Sequence, residues 1–150
     1  MAQSLSCVLI HLVFSTKNRR PIISAAFEQD LFPYFATVLR GMNSPSIAIN
    51  GVEDHIHALF SLARTVTIAD VVEEVKKRSS KMAKANPNGV ADFQWQNGYG
   101  AFSIGGSQVP DVTRYIAGQK AHHQKMSYQD EFRALCRKYG VEWDEQYVWD

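Results

Sequence analysis

The order of elements along the chain predicts an α+β protein: a ferredoxin-like split βαβ antiparallel sheet with helices on one face plus a C-terminal tyrosine-bearing helix. Three observations carry that reading. Runs of β-branched and aromatic residues at 5–14, 46–50, 55–62 and 94–104 have the length and composition of strands. Apolar residues recur at helical spacing from Ser24 and again from Thr67. The resulting order, β-α-β-β-α-β followed by helices, is that of the split βαβ unit. With 150 residues, 45% of them apolar, and no internal repeat or long Pro/Gly/Ser linker, residues 1–150 read as one domain.

The first strand, LSCVLIHLVF, closes on the turn-like segment 15–21. Ser24 is placed to cap a helix whose apolar face holds Phe27, Leu31, Phe35 and Val38, with Gly41 where a C′ glycine belongs. Segments 46–50 and 55–62, joined by Gly51-Val52-Glu53-Asp54, suit a hairpin or two adjacent strands, which puts His55 and His57 on a strand. Thr67 and Asp70 make a capping-box-like start to the second helix. Its apolar face carries Ile68, Val71, Val72, Val75 and Met82, and its opposite face Lys76, Lys77, Arg78, Lys81 and Lys84. Asn86-Pro87-Asn88-Gly89 breaks it, and QWQNGYGAFSI at 94–104 reads as a glycine-interrupted strand region ending at Gly105-Gly106. Pro110 opens a helix running to about Gln124. Ser127 and Asp130 cap a last helix bearing Phe132, Leu135 and Tyr139, with Gly140 just past its end. The tail holds Glu142, Asp144, Glu145 and Asp150 without a base.

Charge and cysteine use exclude several classes. Sixteen Lys and Arg against 15 Asp and Glu give a net charge of +1, unlike a histone-type tail or an acidic disordered segment. Any affinity for nucleic acid must therefore come from local patches. Cys7 and Cys136 are the two cysteines, with no Cys-x-x-Cys spacing, so neither a zinc ribbon nor a disulfide framework is indicated and a reducing, intracellular home fits. The N-terminus has no basic leader, and its apolar run is broken by Ser6 and His11 and too short to span a bilayer. The expectation is a cytoplasmic, soluble protein with no membrane partner.

Residues i and i+2 on a strand share a face, so His55 and His57 can reach one ion while Ile56 faces the core. The pair reads either as a site for a divalent ion or as polar-face residues, and Asp54 beside it as a further carboxylate or a turn residue. Tyr115 and Gln119 stand at i and i+4, projecting a hydroxyl and an amide from one helical face. Tyr115 is either a nucleophile toward phosphorus, with Gln119 a third ligand to an activating cation, or a half-buried packing tyrosine. His123, four residues beyond Gln119, competes with it as the ligand, and His11 reads as a hydrogen-bonded sheet-face histidine. Lys17, Arg19 and Arg20, together with Lys76, Lys77, Arg78 and Lys81, are candidate DNA-binding residues, and equally plain solvated faces. Trp95, Tyr99 and Phe102 suit either base stacking or strand-core packing.

Taken together, HLVFSTKNRRPI, DHIHALF, QWQNGYGAFSI and RYIAGQKAHHQKMSYQDEF, in that order and over almost the whole chain, resemble the single-tyrosine HUH transposases of small insertion sequences and their relatives associated with repetitive extragenic palindromes. The resemblance implies His55 and His57 as the His-hydrophobic-His pair, Tyr115 as the nucleophile, Gln119 as the polar ligand one turn later, and Mg²⁺ or Mn²⁺ as the cation. It also implies cleavage and rejoining of single-stranded DNA at hairpin-marked ends through a 5′-phosphotyrosine. A homodimer in which the histidines of one subunit meet the tyrosine helix of the other, and a cytoplasmic, nucleoid-associated location of bacterial type, follow from the same resemblance. Two other readings remain: a catalytically silent hairpin-binding protein of the same fold, for DNA or RNA, and a generic metal-dependent hydrolase built on the histidine pair alone.

Overall fold

Strand β1 (Leu9–Ser15) is buried along its whole length because both of its edges and both of its faces are covered. In the computed structural model, which describes residues 1–150, it pairs antiparallel with β3 (His55–Ser61) on one side and with β4 (Gly100–Ile104) on the other. Strand β2 (Ser46–Val52) adds outside β3, giving the order β2-β3-β1-β4, all antiparallel. This is the expected split βαβ sheet.

Alternation along the strands sorts the two faces. Ile10, Leu12 and Phe14 of β1 and Ile56, Ala58 and Phe60 of β3 point toward α1 (Ala25–Gly41) and α2 (Ile68–Ala85) and build the main core with Phe27, Leu31, Phe35, Val71 and Val75. Ser24 caps α1, its hydroxyl accepting from the Phe27 N–H at 3.0 Å. Thr67 and Asp70 form the full capping box of α2. The other face carries Leu9, Val13, Leu59, Phe102 and Ile104, covered by α3 (Val109–Ala117) and α5 (Tyr128–Tyr139). The tyrosine-bearing helix is thus α3, and α5 follows it on the same face.

Several boundaries differ from expectation, each for a local reason. The first strand begins at Leu9, not Leu5, because the partners Ser61 and Ile104 both end opposite Leu9. Helix α1 runs through Gly41, and the left-handed turn falls on Asn43 at φ 54°. Gly51 and Val52 belong to β2, so the hairpin turns on Glu53 and Asp54 alone, and a Cβ on Gly51 would strike the His55 carbonyl oxygen. Segment 94–99 is not strand: Lys76 Nζ donates to the carbonyl oxygens of Gln96 (2.7 Å), Asn97 (3.0 Å) and Gly98 (2.7 Å), taking acceptors a ladder needs. Only Trp95 pairs there, as an isolated bridge to Thr16.

The predicted helix from Pro110 to Gln124 is two pieces, α3 and the short α4 (Gln119–His122), divided at Gly118. Asn50 Nδ2 donates to the carbonyls of Ile116 (2.9 Å) and Ala117 (3.2 Å) and so closes α3. Helix α5 starts at the Ser127 cap and ends on Gly140 at φ 67°, as its sequence predicts. The acidic tail does have a base, Arg133 of α5, whose guanidinium donates to Glu145 at 2.6 and 2.9 Å. No helix is long and apolar enough to cross a membrane.

Candidate metal centre beside a tyrosine

The second sheet face is apolar except at its middle. His11 of β1 and His55 and His57 of β3 project there with almost no exposure, while Ile56 between the pair enters the main core. Each of the β3 histidines is held from behind. His55 Nδ1 donates to the Asp54 carboxylate at 2.6 Å, and His57 Nδ1 shares a hydrogen bond with His11 Nε2 at 2.8 Å. Both rings therefore present Nε2 to the space between sheet and helices.

A carboxylate from α5 fills that space. Glu131 Oε1 lies 2.9 Å from His57 Nε2, 3.2 Å from His55 Nε2 and 2.8 Å from Nε2 of His123, which caps α4. Its other oxygen, Oε2, accepts from the Tyr115 hydroxyl and from Gln119 Nε2 at 3.0 Å. Gln119 Oε1 in turn stands 3.3 Å from His55 Nε2. Four of the sequence-derived site residues, His55, His57, Tyr115 and Gln119, thus meet within one chain. The ligand atoms of His55, His57, His123 and Glu131 all lie within 4.8 Å of one another, a donor set that fits a divalent ion.

Burial and charge act against each other here. Burial opposes ionisation of Glu131, yet hydrogen bonds from His123, His55 and His57 hold its carboxyl far below the usual carboxylate range. For His55 burial disfavours the charged ring, but the hydrogen bonds to Asp54 and Glu131 outweigh it and lift it to about 9. His57 goes the other way, burial pushing it down, and burial with the neighbouring His57 takes His11 down to about 3. The Tyr115 phenol is pushed far up by burial and by the Glu131 charge. A cavity of about 320 Å³ opens beside it, lined by His11, Tyr115, His122, Glu131, Lys138 and Tyr139.

The candidate DNA-binding residues scatter. Helix α2 packs on the opposite sheet face from the histidines, so Lys76, Lys77, Arg78 and Lys81 are not at this centre. Lys76 is tied to three carbonyls, Arg78 to Glu74 at 3.0 Å and Arg20 to Asp92 at 3.1 Å, whereas Lys77 and Lys81 are exposed. Lys17 is exposed and lines a cleft with Lys77. Arg19 alone reaches the centre: it borders a cavity with Asp54, His123 and Ser127, takes φ 55°, and its Nη1 is buried without a partner. Trp95 is core, its indole N–H donating to Ser79 at 2.9 Å, and Phe102 stacks on Tyr139 at 4.9 Å.

Glu131 is the residue that sequence reasoning missed. A signal was present: Tyr128, Phe132, Leu135 and Cys136 form the buried stripe of α5, and Glu131 is the one charged residue at that spacing.

Comparison with known proteins agrees with this architecture. The family model described as "Transposase IS200 like" matches residues 4–119. No curated protein matches the chain. A crystal structure of a candidate transposase from Deinococcus radiodurans R1 is similar at 17% identity and a TM-score of 0.60, over 79% of this chain and 98% of its own. A REP-associated tyrosine transposase bound to a REP hairpin is similar at 17% identity and a TM-score of 0.61, over 82% of this chain and 72% of its own. At those identities the two structures share the fold.

Proposed function

The chain belongs to the IS200-like transposase family, and we propose that it cleaves and rejoins single-stranded DNA at hairpin-marked ends with Tyr115 as the nucleophile. One observation carries the reading: the Tyr115 hydroxyl and the His55/His57 pair share a single buried carboxylate, Glu131, so nucleophile and ion site are within one side chain of each other. The Tyr115 oxygen attacks the scissile phosphorus and gives up its proton to solvent as the new bond forms, the Glu131 carboxylate orienting the hydroxyl. The P–O3′ bond breaks, the 3′ oxygen leaves as a hydroxyl after taking a proton from solvent, and the 5′ phosphate stays on the tyrosine. Rejoining is the reverse attack by a 3′-hydroxyl. No nucleotide hydrolysis is required.

A divalent ion, Mg²⁺ or Mn²⁺, held by His55, His57 and Gln119 would polarise a phosphoryl oxygen and stabilise its developing charge. His11 and Asp54 orient the two imidazoles, and the Arg19 guanidinium, which lines the neighbouring cavity, is the nearest of the candidate cations to a phosphate there. Lys17, Lys77 and Lys81 supply the exposed cations for a backbone farther out. The relative bound to a REP hairpin supports a hairpin as the DNA partner. In this reading residues 1–150 act as one unit, with the DNA in the cytoplasm. Because Tyr115 and the histidines meet in one chain, no second copy is needed to complete the site.

The half-buried Tyr115 phenol, pushed far up, also favours a second reading, a hairpin-binding protein without turnover. Incubation with labelled single-stranded hairpin DNA from the flanking sequence, with Mg²⁺ or Mn²⁺, followed by denaturing electrophoresis, separates the two. The proposal expects a labelled protein band that disappears in Tyr115→Phe and with chelator while hairpin binding persists. Binding without an adduct under either ion, or cleavage retained by Tyr115→Phe, overturns it.

A further inference from the structure

His123 and Glu131 lie beyond residue 119, where the match to the family model ends, yet their ligand atoms complete a group of four with the histidine pair. We infer that the ion of this centre is held by a cage of three imidazoles and one carboxylate, from His55, His57, His123 and Glu131, which selects a transition ion such as Mn²⁺, Co²⁺ or Zn²⁺ over Mg²⁺. The inference rests on the reading of the His55/His57 pair as a metal site. It changes the role of Gln119 from ligand to positioning residue.

Three Nε2 atoms on one oxygen carry the argument. They stand 3.2, 2.9 and 2.8 Å from Glu131 Oε1 and come from two different parts of the chain, strand β3 and the end of α4. Two of the rings have their Nδ1 atoms already engaged, by Asp54 and His11, so their Nε2 atoms are left to meet a common partner. On the carboxylate the division is as clear. Oε2 is taken by Tyr115 and Gln119, with His122 Nε2 farther off at 3.6 Å, and Oε1 faces the imidazoles of His55, His57 and His123. The Gln119 amide nitrogen thus holds Glu131 in place. Its Oε1, 3.3 Å from His55 Nε2, is at the edge of the group.

The donor set decides the ion. Mg²⁺ demands near-octahedral oxygen ligation and keeps several waters, and here the four side chains are 0–7% exposed and three of the donors are nitrogen. Imidazole nitrogen with one carboxylate suits first-row transition ions over Mg²⁺, and most strongly those toward the end of the row. Because the ligands come from β3, α4 and α5, loading also ties the last helix to the sheet.

The test uses metal-stripped full-length protein. Co²⁺ titration followed by visible absorption reports ligand number, and competition with a chromogenic chelator gives affinities for Mn²⁺ and Zn²⁺. The expected results are strong bands of a site with fewer than six ligands, persistence in excess Mg²⁺, and affinity weakened roughly tenfold or more in His123→Ala, Glu131→Gln and His55→Ala. Gln119→Ala is expected to keep the band positions. Far-UV circular dichroism in chelator checks each variant, and His123→Ala, at the end of a short surface helix, carries the decision if Glu131→Gln does not fold. Wild-type bands and affinity in His123→Ala, with loss in His55→Ala, overturn the cage but leave the histidine-pair site standing. Unchanged binding in His55→Ala and His57→Ala overturns the metal reading itself. Displacement of Co²⁺ by equimolar Mg²⁺ overturns the selectivity.

Discussion

Lys76 and Glu131 show how one side chain takes a role that its neighbours in sequence do not announce. Lys76 stands on the lysine-rich face of α2, yet its ammonium lies 4.8 Å from the Phe14 ring centroid and donates to three carbonyls of segment 96–98. Burial pushes it down to about 8. Lys76→Met leaves those carbonyls without their donor and is expected to lower stability by about 2 kcal/mol or more in urea unfolding. The same substitution is expected to leave the salt dependence of DNA binding unaltered, whereas Lys77→Ala reduces it, since Lys77 is exposed. Glu131 is the reverse case, an acid on an apolar stripe that reaches two histidines on a distant strand, one of them 74 positions away. For His55 with His57 and Tyr115 with Gln119, strand and helix spacing put each pair on one face, and the family resemblance supplied their roles. His123 lies 8 positions before it, but nothing in that segment points to His55 and His57 on β3.

Among the elements, α5 matters most to the centre because it brings Glu131 to the sheet. Its start depends on the Ser127 hydroxyl, which accepts from the Asp130 N–H at 3.1 Å, and its end on the left-handed Gly140. Ser127→Ala is expected to cost about 1 kcal/mol of stability, measured as a lowered Tm. Divalent-ion binding, read by the same chelator competition, is expected to weaken in parallel, since the first turn of α5 places the carboxylate. The break between α3 and α4 works similarly. Gly118 weakens the helix, and Asn50 of β2 takes the freed carbonyls, so Tyr115 and Gln119 end on separate helices that still face one carboxylate. Caps and apolar stripes made α1, α2 and α5 legible. The break did not show because Asn50 reaches it from 66 residues away.

Across the molecule, the sheet divides the labour. One face is sealed by α1 and α2 over an apolar core, and the other encloses a polar centre between two apolar clusters. The tyrosine and the histidines belong to one chain at that centre, so mixing His55→Ala protein with Tyr115→Phe protein is expected to leave adduct formation at background. Restored adduct in the mixture would show a site shared between subunits. The C-terminal tail closes the far side of the same face: Glu145, held down to about 2 by Arg133 and the indole N–H groups of Trp143 and Trp149, fastens it to α5, and Gly98 N–H donates to the Asp150 carbonyl at 2.9 Å.

Read alone, the chain was sufficient for the strand and helix order, the antiparallel sheet and the placing of the histidine pair on one strand face, because periodicity and capping are local and written in neighbouring residues. The meeting of Glu131 with three imidazoles, the break at Gly118, the captured carbonyls of segment 96–98 and the pairing of the acidic tail required the folded chain. Each depends on a polar group meeting a partner from a distant element; His57 and Glu131 are 74 positions apart. Such meetings are set by how sheet and helices pack, and no local pattern encodes them.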